Sequence, residues 1–222
     1  MSCNFLQPLF GGLTSALAMF NPIRRNRKIG KTQGGRVRDG KAVEKRSRVF
    51  TQDIWTRLSE APHRGFIILL ENPSRDYFHP VTEDEIRSAL SRLPQRILRP
   101  LKAIVLSRLS ARDARHGVEA RRRYQCVVLY AFPRSMEMVW PGTTCSDAAR
   151  RHYQPWCSAW SVREGRTILT WTVEQAKRYY LFHLLLHEIG HLNQPPLHSL
   201  KRRESYAENF ALDWARKWRI IP

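Results

Sequence analysis

Residues 172–214 read TVEQAKRYYLFHLLLHEIGHLNQPPLHSLKRRESYAENFALDW, and this stretch decides the fold that we predict. A helix should begin at Thr172, because Gln175 three residues later completes a capping box. The helix should end before Pro195-Pro196, since proline cannot continue it. Within the helix, residues 179–182 and 184–186 are apolar on almost every side, which is typical of a buried helix.

The buried helix carries the motif His187-Glu188-Ile189-Gly190-His191. Residues four apart share one face of a helix, so the two imidazoles can bind one metal ion. Zinc accepts imidazole nitrogen at about 2.0–2.1 Å, and an adjacent glutamate can take a proton from zinc-bound water. The alternative to a metal site is an amphipathic helix with two histidines on its surface. Burial argues against that alternative, because buried polar groups need partners. We therefore predict one Zn²⁺ per chain, with Glu188 as catalytic base.

A second helix is predicted from about Lys201 to Trp218, and it supplies the candidates for a third ligand. Glu204 and Glu208 lie one turn apart on one face of this helix. Either carboxylate can reach back towards the metal. The residues themselves therefore leave the third ligand open between these two glutamates.

The segment Glu204-Ser-Tyr-Ala-Glu-Asn-Phe-Ala211 resembles the E-x-x-A-(D/N)-x-F-A element that follows HExxH in gluzincin metallopeptidases, most of all ImmA/IrrE-type and HtpX-like enzymes. The resemblance implies that Glu204 is the third zinc ligand. It also implies that Glu208, where the family usually has Asp or Asn, orients a histidine from outside the ligand set. The implied fold is α+β and zincin-like, with a small mixed sheet on the buried HExxH helix and a C-terminal ligand-bearing helix. The implied activity is hydrolysis of a polypeptide substrate.

Further polar residues lie close to the motif. His183 precedes His187 by one turn, but a helix cannot bring three turns to one ion, because the outer two lie about 12 Å apart. We therefore expect His183 to pack beside the ligands or to support one of them. The weaker candidates for stabilising a transition-state oxyanion are His198, Arg202 and Tyr206. Gly190 should let another backbone approach the helix closely.

The segment 49–222 is predicted to form one domain in which short strands alternate with helices. The predicted strands are 66–70, 103–106, 124–130, 136–140, 156–162 and 166–171, and the predicted helices before residue 172 are 51–59 and 82–93. Residues 110–123 should form a loop. The last two strands should form a hairpin around Glu164-Gly165. The resemblance implies that strand 166–171 lies at a sheet edge, where a substrate peptide can add to it.

The chain of 222 residues has a formal net charge of +19, and its N-terminal part supplies much of it. Residues 23–48 contain eleven Lys and Arg against two acidic residues and few apolar groups, so we predict a disordered basic tail at 1–48. Basic arms can bind nucleic acid without sequence specificity, although a solvated linker fits as well. The alternative function is therefore a nucleic-acid-associated protein with a structural or vestigial zinc site.

The cysteines and the apolar segments bear on the compartment. Four cysteines without a C-x-x-C pair suit a reducing compartment, so we expect a cytoplasmic protein. The apolar run within residues 1–20 is shorter than the roughly 20 residues that a bilayer requires, so no membrane span is expected. A metal knuckle from Cys145, His152 and Cys157 is a weaker hypothesis, because its spacing matches no common site.

Overall fold

The computed structural model describes residues 56–57, 59, 65–109, 117–140, 147–157 and 159–222. The predicted tail at 1–48, most of the predicted helix at 51–59 and the domain boundary between them lie outside these residues. In chain order the elements are β1 (Ile67–Leu70), β2 (Tyr77–Phe78), α1 (Glu83–Ser91), α2 (Gln95–Leu98), β3 (Ala103–Ser107), β4 (Ala120–Arg123), β5 (Cys126–Tyr130), β6 (Phe132–Pro133), β7 (Glu137–Val139), α3 (Asp147–Tyr153), β8 (Ala159–Arg163), β9 (Arg166–Thr170), α4 (Val173–Tyr179), a π-helical turn (Tyr180–Leu184), α5 (Leu185–Asn193) and α6 (Leu200–Lys217).

The fold is α+β, and its largest sheet is mixed, with the strand order β1-β3-β5-β4. The first three strands are parallel, and β4 pairs with β5 in the antiparallel sense. Every residue of β3 and β5 is buried. This burial explains their continuous apolar sequences, because parallel strands are covered on both faces.

The predicted loop at 110–123 is wrong for residues 120–123, which form β4. The sequence Ala-Arg-Arg-Arg does not alternate between apolar and polar residues, so its pattern does not predict a strand. Pairing with β5 makes it one, with Arg122 opposite Val127 in the register. Tyr124 makes the reversal between the two strands with a positive φ of 53°.

The second sheet has three antiparallel strands in the order β7-β9-β8. The predicted hairpin between β8 and β9 is confirmed, and Glu164 and Gly165 turn it with φ values of 50° and 73°. Strand β9 is paired on both sides, so the expectation that it lies at a sheet edge is wrong. The predicted strand at 156–162 begins only at Ala159, because the chain first completes the turn that follows α3, a helix the sequence pattern did not predict.

The capping box predicted at Thr172 and Gln175 is confirmed, and helix α1 begins with another one. At the start of α1, the hydroxyl of Thr82 accepts from the backbone N–H of Glu85, and the carboxylate of Glu85 accepts from the backbone N–H of Thr82. Thr172 and Gln175 make the equivalent two bonds before α4. From Val173 to Asn193 the chain is helical throughout, but the turn at Tyr180–Leu184 is π-helical. Helix α5 packs against β4, β5 and α6. In the part of the chain that the structure describes, none of the helices combines the length and the apolar character needed to cross a bilayer.

Glu119, just before β4, carries a buried carboxylate between two helices. Its Oε2 atom accepts hydrogen bonds from the hydroxyls of Tyr179 at 2.7 Å and Tyr153 at 3.1 Å. Its Oε1 atom is buried and has no hydrogen-bond partner. Burial raises the pKa of Glu119 to about 7, although the two tyrosines partly oppose the rise.

We expect the mutation Glu119→Gln to remove a pH dependence of stability. In the unfolded chain Glu119 ionises near pH 4.5, whereas in the fold it keeps its proton to about pH 7. The unfolded state therefore binds fewer protons in this window, and the free energy of unfolding falls as the pH rises through it. Glutamine can still accept from both tyrosines, so the variant should gain on the order of 3 kcal/mol over wild type between pH 4.5 and pH 8.

Urea denaturation at several pH values measures this difference. The exposed Glu174, replaced in the same way, serves as the control and should leave the pH profile of wild type unchanged. Parallel profiles for wild type and Glu119→Gln would show that Glu119 is ionised in the fold at neutral pH.

Candidate metal centre

Two imidazoles from α5 and one carboxylate from α6 converge at the contact between these helices. The Nε2 atoms of His187 and His191 each lie 3.4 Å from Oε2 of Glu204. The two histidine side chains are almost wholly buried, and the side chain of Glu204 is 25% exposed. The spacing of four residues between the histidines places them on the same face, as the sequence predicts.

These three residues can hold a metal ion. Ligands at about 2.0–2.1 Å from a tetrahedral ion lie roughly 3.3–3.4 Å from one another, and the observed separations have this length. Nε2 of His191 and Oε1 of Glu204 are buried without a hydrogen-bond partner. Buried polar atoms normally have one, so a cation bound by the three residues would supply an interaction that these atoms lack.

Burial alone would raise the pKa of Glu204, but the adjacent imidazoles of His187 and His191 outweigh burial and lower it to about 2. Glu204 is therefore an anion at any pH near neutrality. A carboxylate in this state is ready to bind a cation without first losing a proton.

Glu188 is fully buried, and neither of its carboxylate oxygens has a hydrogen-bond partner. Burial raises its pKa, while the imidazoles of His187 and His191 act in the opposite direction. A buried carboxyl group with a raised pKa beside two imidazoles is a candidate for proton transfer.

The structure separates the two glutamates of α6. Glu204 faces the Nε2 atoms of both motif histidines, whereas Glu208 lies behind His187, with Oε2 at 3.3 Å from Nδ1. The imidazoles around Glu208 hold its pKa far below its usual range, although burial opposes them. Glu208 thus contacts His187 from outside the cluster of His187, His191 and Glu204, which is the placement that the resemblance implies.

Two more histidines surround Glu208. Nε2 of His183 lies 3.5 Å from its Oε2 atom, and Nδ1 of His152 lies 3.1 Å from its Oε1 atom. The ring of His183 stacks on that of Tyr179, with centroids 5.1 Å apart. His183 therefore lies beside the ligands, where the sequence predicts it, and its burial lowers its pKa well below the ordinary value.

His152 reaches this cluster from α3, and sequence reasoning assigned it differently. The weaker hypothesis grouped it with Cys145 and Cys157. Cys145 lies outside the described residues, and the free thiol of Cys157 donates to the carbonyl of Thr170 at 3.1 Å. His152 instead contacts Glu208, which lies 56 positions later in the sequence. No local sequence pattern predicts a contact over that separation.

Gln194 is a second residue that the pattern did not reveal. Its Oε1 atom lies 3.1 Å from Nδ1 of His191, so it can accept a hydrogen bond from that ring and leave Nε2 for the metal. Arg122 of β4 donates to the carbonyl of His191 at 3.2 Å and connects the sheet to the helix.

The three candidates for oxyanion stabilisation lie in different places. His198 and Arg202 are exposed. The hydroxyl of Tyr206 donates to the carbonyl of Asn193 at 3.4 Å, at the end of α5. Their assignment to an oxyanion stays a prediction from the sequence.

Comparisons of the whole chain with protein-family models, with curated proteins and with solved structures find no match. The interpretation of the cluster therefore depends on its geometry and on the motif.

We expect Gly190→Ala to weaken both the fold and the metal centre. A Cβ atom at position 190 would lie 3.0 Å from Cα of Ala207 and 3.1 Å from Cβ of Phe210, so α6 would have to move away. Overpacking of this kind costs about 1–3 kcal/mol, against a gain of about 1 kcal/mol in helix propensity. Movement of α6 also displaces Glu204 from the imidazoles, so metal affinity should fall at least tenfold.

Thermal unfolding and competition with a chromophoric chelator test the two effects. The control is Ser205→Ala, on the exposed face of α6, which should behave as wild type. An unchanged metal affinity in Gly190→Ala would mean that the spacing of the two helices does not control the site.

Proposed function

We propose that the protein is a zinc-dependent peptidase of the zincin type. The observation that carries the proposal is the convergence of His187, His191 and Glu204 beside the uncommitted, buried carboxyl group of Glu188. The sequence resemblance to gluzincin enzymes supports it with the same assignment of residues. The α+β fold, with a mixed sheet against the motif helix, is compatible with a zincin fold.

The donor set favours zinc. Two imidazoles and one carboxylate are a common ligand set of catalytic zinc, and three protein ligands leave one position open. When bound, the ion supplies Lewis acidity, which acidifies a water molecule and polarises the carbonyl group of a substrate. Glu208 and Gln194 contact the opposite nitrogens of His187 and His191, and these contacts fix the ring orientation and the tautomer.

Glu188 is the proton carrier in this proposal. One oxygen of its carboxylate takes the proton of the attacking water and then delivers it to the amide nitrogen that leaves. Burial assists the second step, because the raised pKa of Glu188 favours its protonated form until the proton passes to the leaving nitrogen.

The peptide substrate has a candidate place at β4. This strand is the last of its sheet within the described ranges, and it packs against α5, where Arg122 contacts the carbonyl of His191. An extended peptide that adds to β4 would run beside the metal centre. This assignment replaces β9, which lies between two other strands.

The mutation Glu188→Gln tests the function. It keeps the size of the side chain and removes its basicity, so hydrolysis should fall by about 10²–10⁴-fold while zinc stays bound. The assay uses the full-length, zinc-loaded protein with a pool of internally quenched peptides, and metal content is measured by mass spectrometry. Glu174→Gln on the exposed surface of α4 is the matched control and should retain full activity.

Two results would contradict the proposal. One is hydrolysis by Glu188→Gln at the rate of wild type. The other is wild-type protein with an intact cluster that binds no zinc. The nucleic-acid alternative stays a prediction, because the basic segment that motivates it lies outside the described residues.

A further inference from the structure

We propose that His152, His183 and Glu208 form a second site for a divalent transition-metal ion, next to the first and more deeply buried. The inference goes beyond the peptidase proposal and does not depend on it. Its donors are two imidazoles and one carboxylate, the same set as in the first cluster, and their ligand atoms all lie within 4.8 Å of one another.

The distances around Glu208 are compatible with a metal ion shared by the three side chains. Nδ1 of His152 lies 3.1 Å from one carboxylate oxygen, and Nε2 of His183 lies 3.5 Å from the other. An N–H···O bond normally spans 2.7–3.2 Å, so the contact of His183 is too long for a good one. The two rings contact different oxygens of Glu208, so an ion between the rings could be bound by either oxygen or by both.

The cluster is also a displaced repeat of the first. His183, His187 and His191 follow one another at intervals of four residues, and so do Glu204 and Glu208. One turn along the paired helices, His183 and Glu208 therefore occupy the places that His187 and Glu204 occupy in the first cluster. The outer histidines lie about 12 Å apart along a regular helix, too far to share one ion, so the two clusters would bind separate ions.

The π-helical turn at Tyr180–Leu184 is a second observation at this place. It contains His183, it is fully helical on both sides, and its side chains at 180, 181, 183 and 184 are buried. Single π-helical turns inside α-helices occur frequently at functional sites. Here the turn sets the position from which His183 faces Glu208.

A cation would also compensate a charge that the fold otherwise buries. The side chain of Glu208 is 18% exposed, while those of His152 and His183 are 4% and 1% exposed. A divalent ion bound by the three side chains would offset the buried charge of the Glu208 carboxylate. Imidazole-rich sites suit Zn²⁺, Co²⁺ and Ni²⁺. Such an ion would tie α3 to α6 and the π-helical turn, while Glu208 still faces Nδ1 of His187.

Metal stoichiometry tests the proposal. The full-length protein is stripped with a chelator and dialysed against Co²⁺ at a fixed free concentration. Bound cobalt is counted by mass spectrometry, and the ligand field is recorded by visible absorption. Wild type should bind two ions per chain. His152→Gln and His183→Gln should each bind one and keep the spectrum of the first site, and His191→Gln should keep only the second.

The matched control is His198→Gln, which replaces an exposed histidine outside both clusters and should still bind two ions. Two variants are used for the second site, and circular dichroism tests whether each of them folds. Metal binding is interpreted only for a variant with the spectrum of the folded wild type. One ion in wild type and none in His191→Gln would overturn the second site and leave the first intact. One ion in wild type, kept by His191→Gln and lost in His152→Gln, would support the second site and contradict the proposed peptidase centre.

Discussion

The contact between α5 and α6 is the constraint on which the rest of the structure depends. Gly190 on α5 faces the backbone of Ala207 on α6, and the absence of a side chain lets the two helices lie close together. The motif histidines and the glutamates of α6 meet only because of this approach. The sheet behind α5 then buries the same helix on its other side, through β4 and β5.

Position within this packed region gives four similar carboxyl groups different properties. Glu204 lies between two imidazoles and has its pKa lowered to about 2, and Glu208, among three, is lowered further. Glu188 and Glu119 are buried with fewer compensating contacts, and their pKa values rise. Residue type alone does not distinguish them. Desolvation and neighbouring charge do, because they make two of these glutamates stronger acids and two weaker acids than a free glutamate.

The row of imidazoles along one helix explains why Glu208 matters to more than one neighbour. It lies beside Nδ1 of His187, and His183 and His152 reach it from the π-helical turn and from α3. A carboxylate shared in this way couples the orientation of the His187 ring to the packing of a helix that is distant in the sequence. This is also the place where the regular α-helix gives way to a π-helical turn, so local geometry and chemistry change together.

The sequence by itself determined the capping boxes of α1 and α4, the buried strands β3 and β5, the hairpin at Glu164-Gly165 and the α+β class, because each has a local pattern of apolar, turn or capping residues. It also placed His187, Glu188 and His191 on one buried helix, since a spacing of four fixes a face. Only the tertiary structure decided that Glu204 faces their ring nitrogens and that His152 lies beside Glu208. It also decided that, within the described residues, β4 lies at the end of its sheet whereas β9 lies in the middle of the other. Those outcomes arise from contacts between residues distant in sequence, and helix periodicity and propensity carry no information about them.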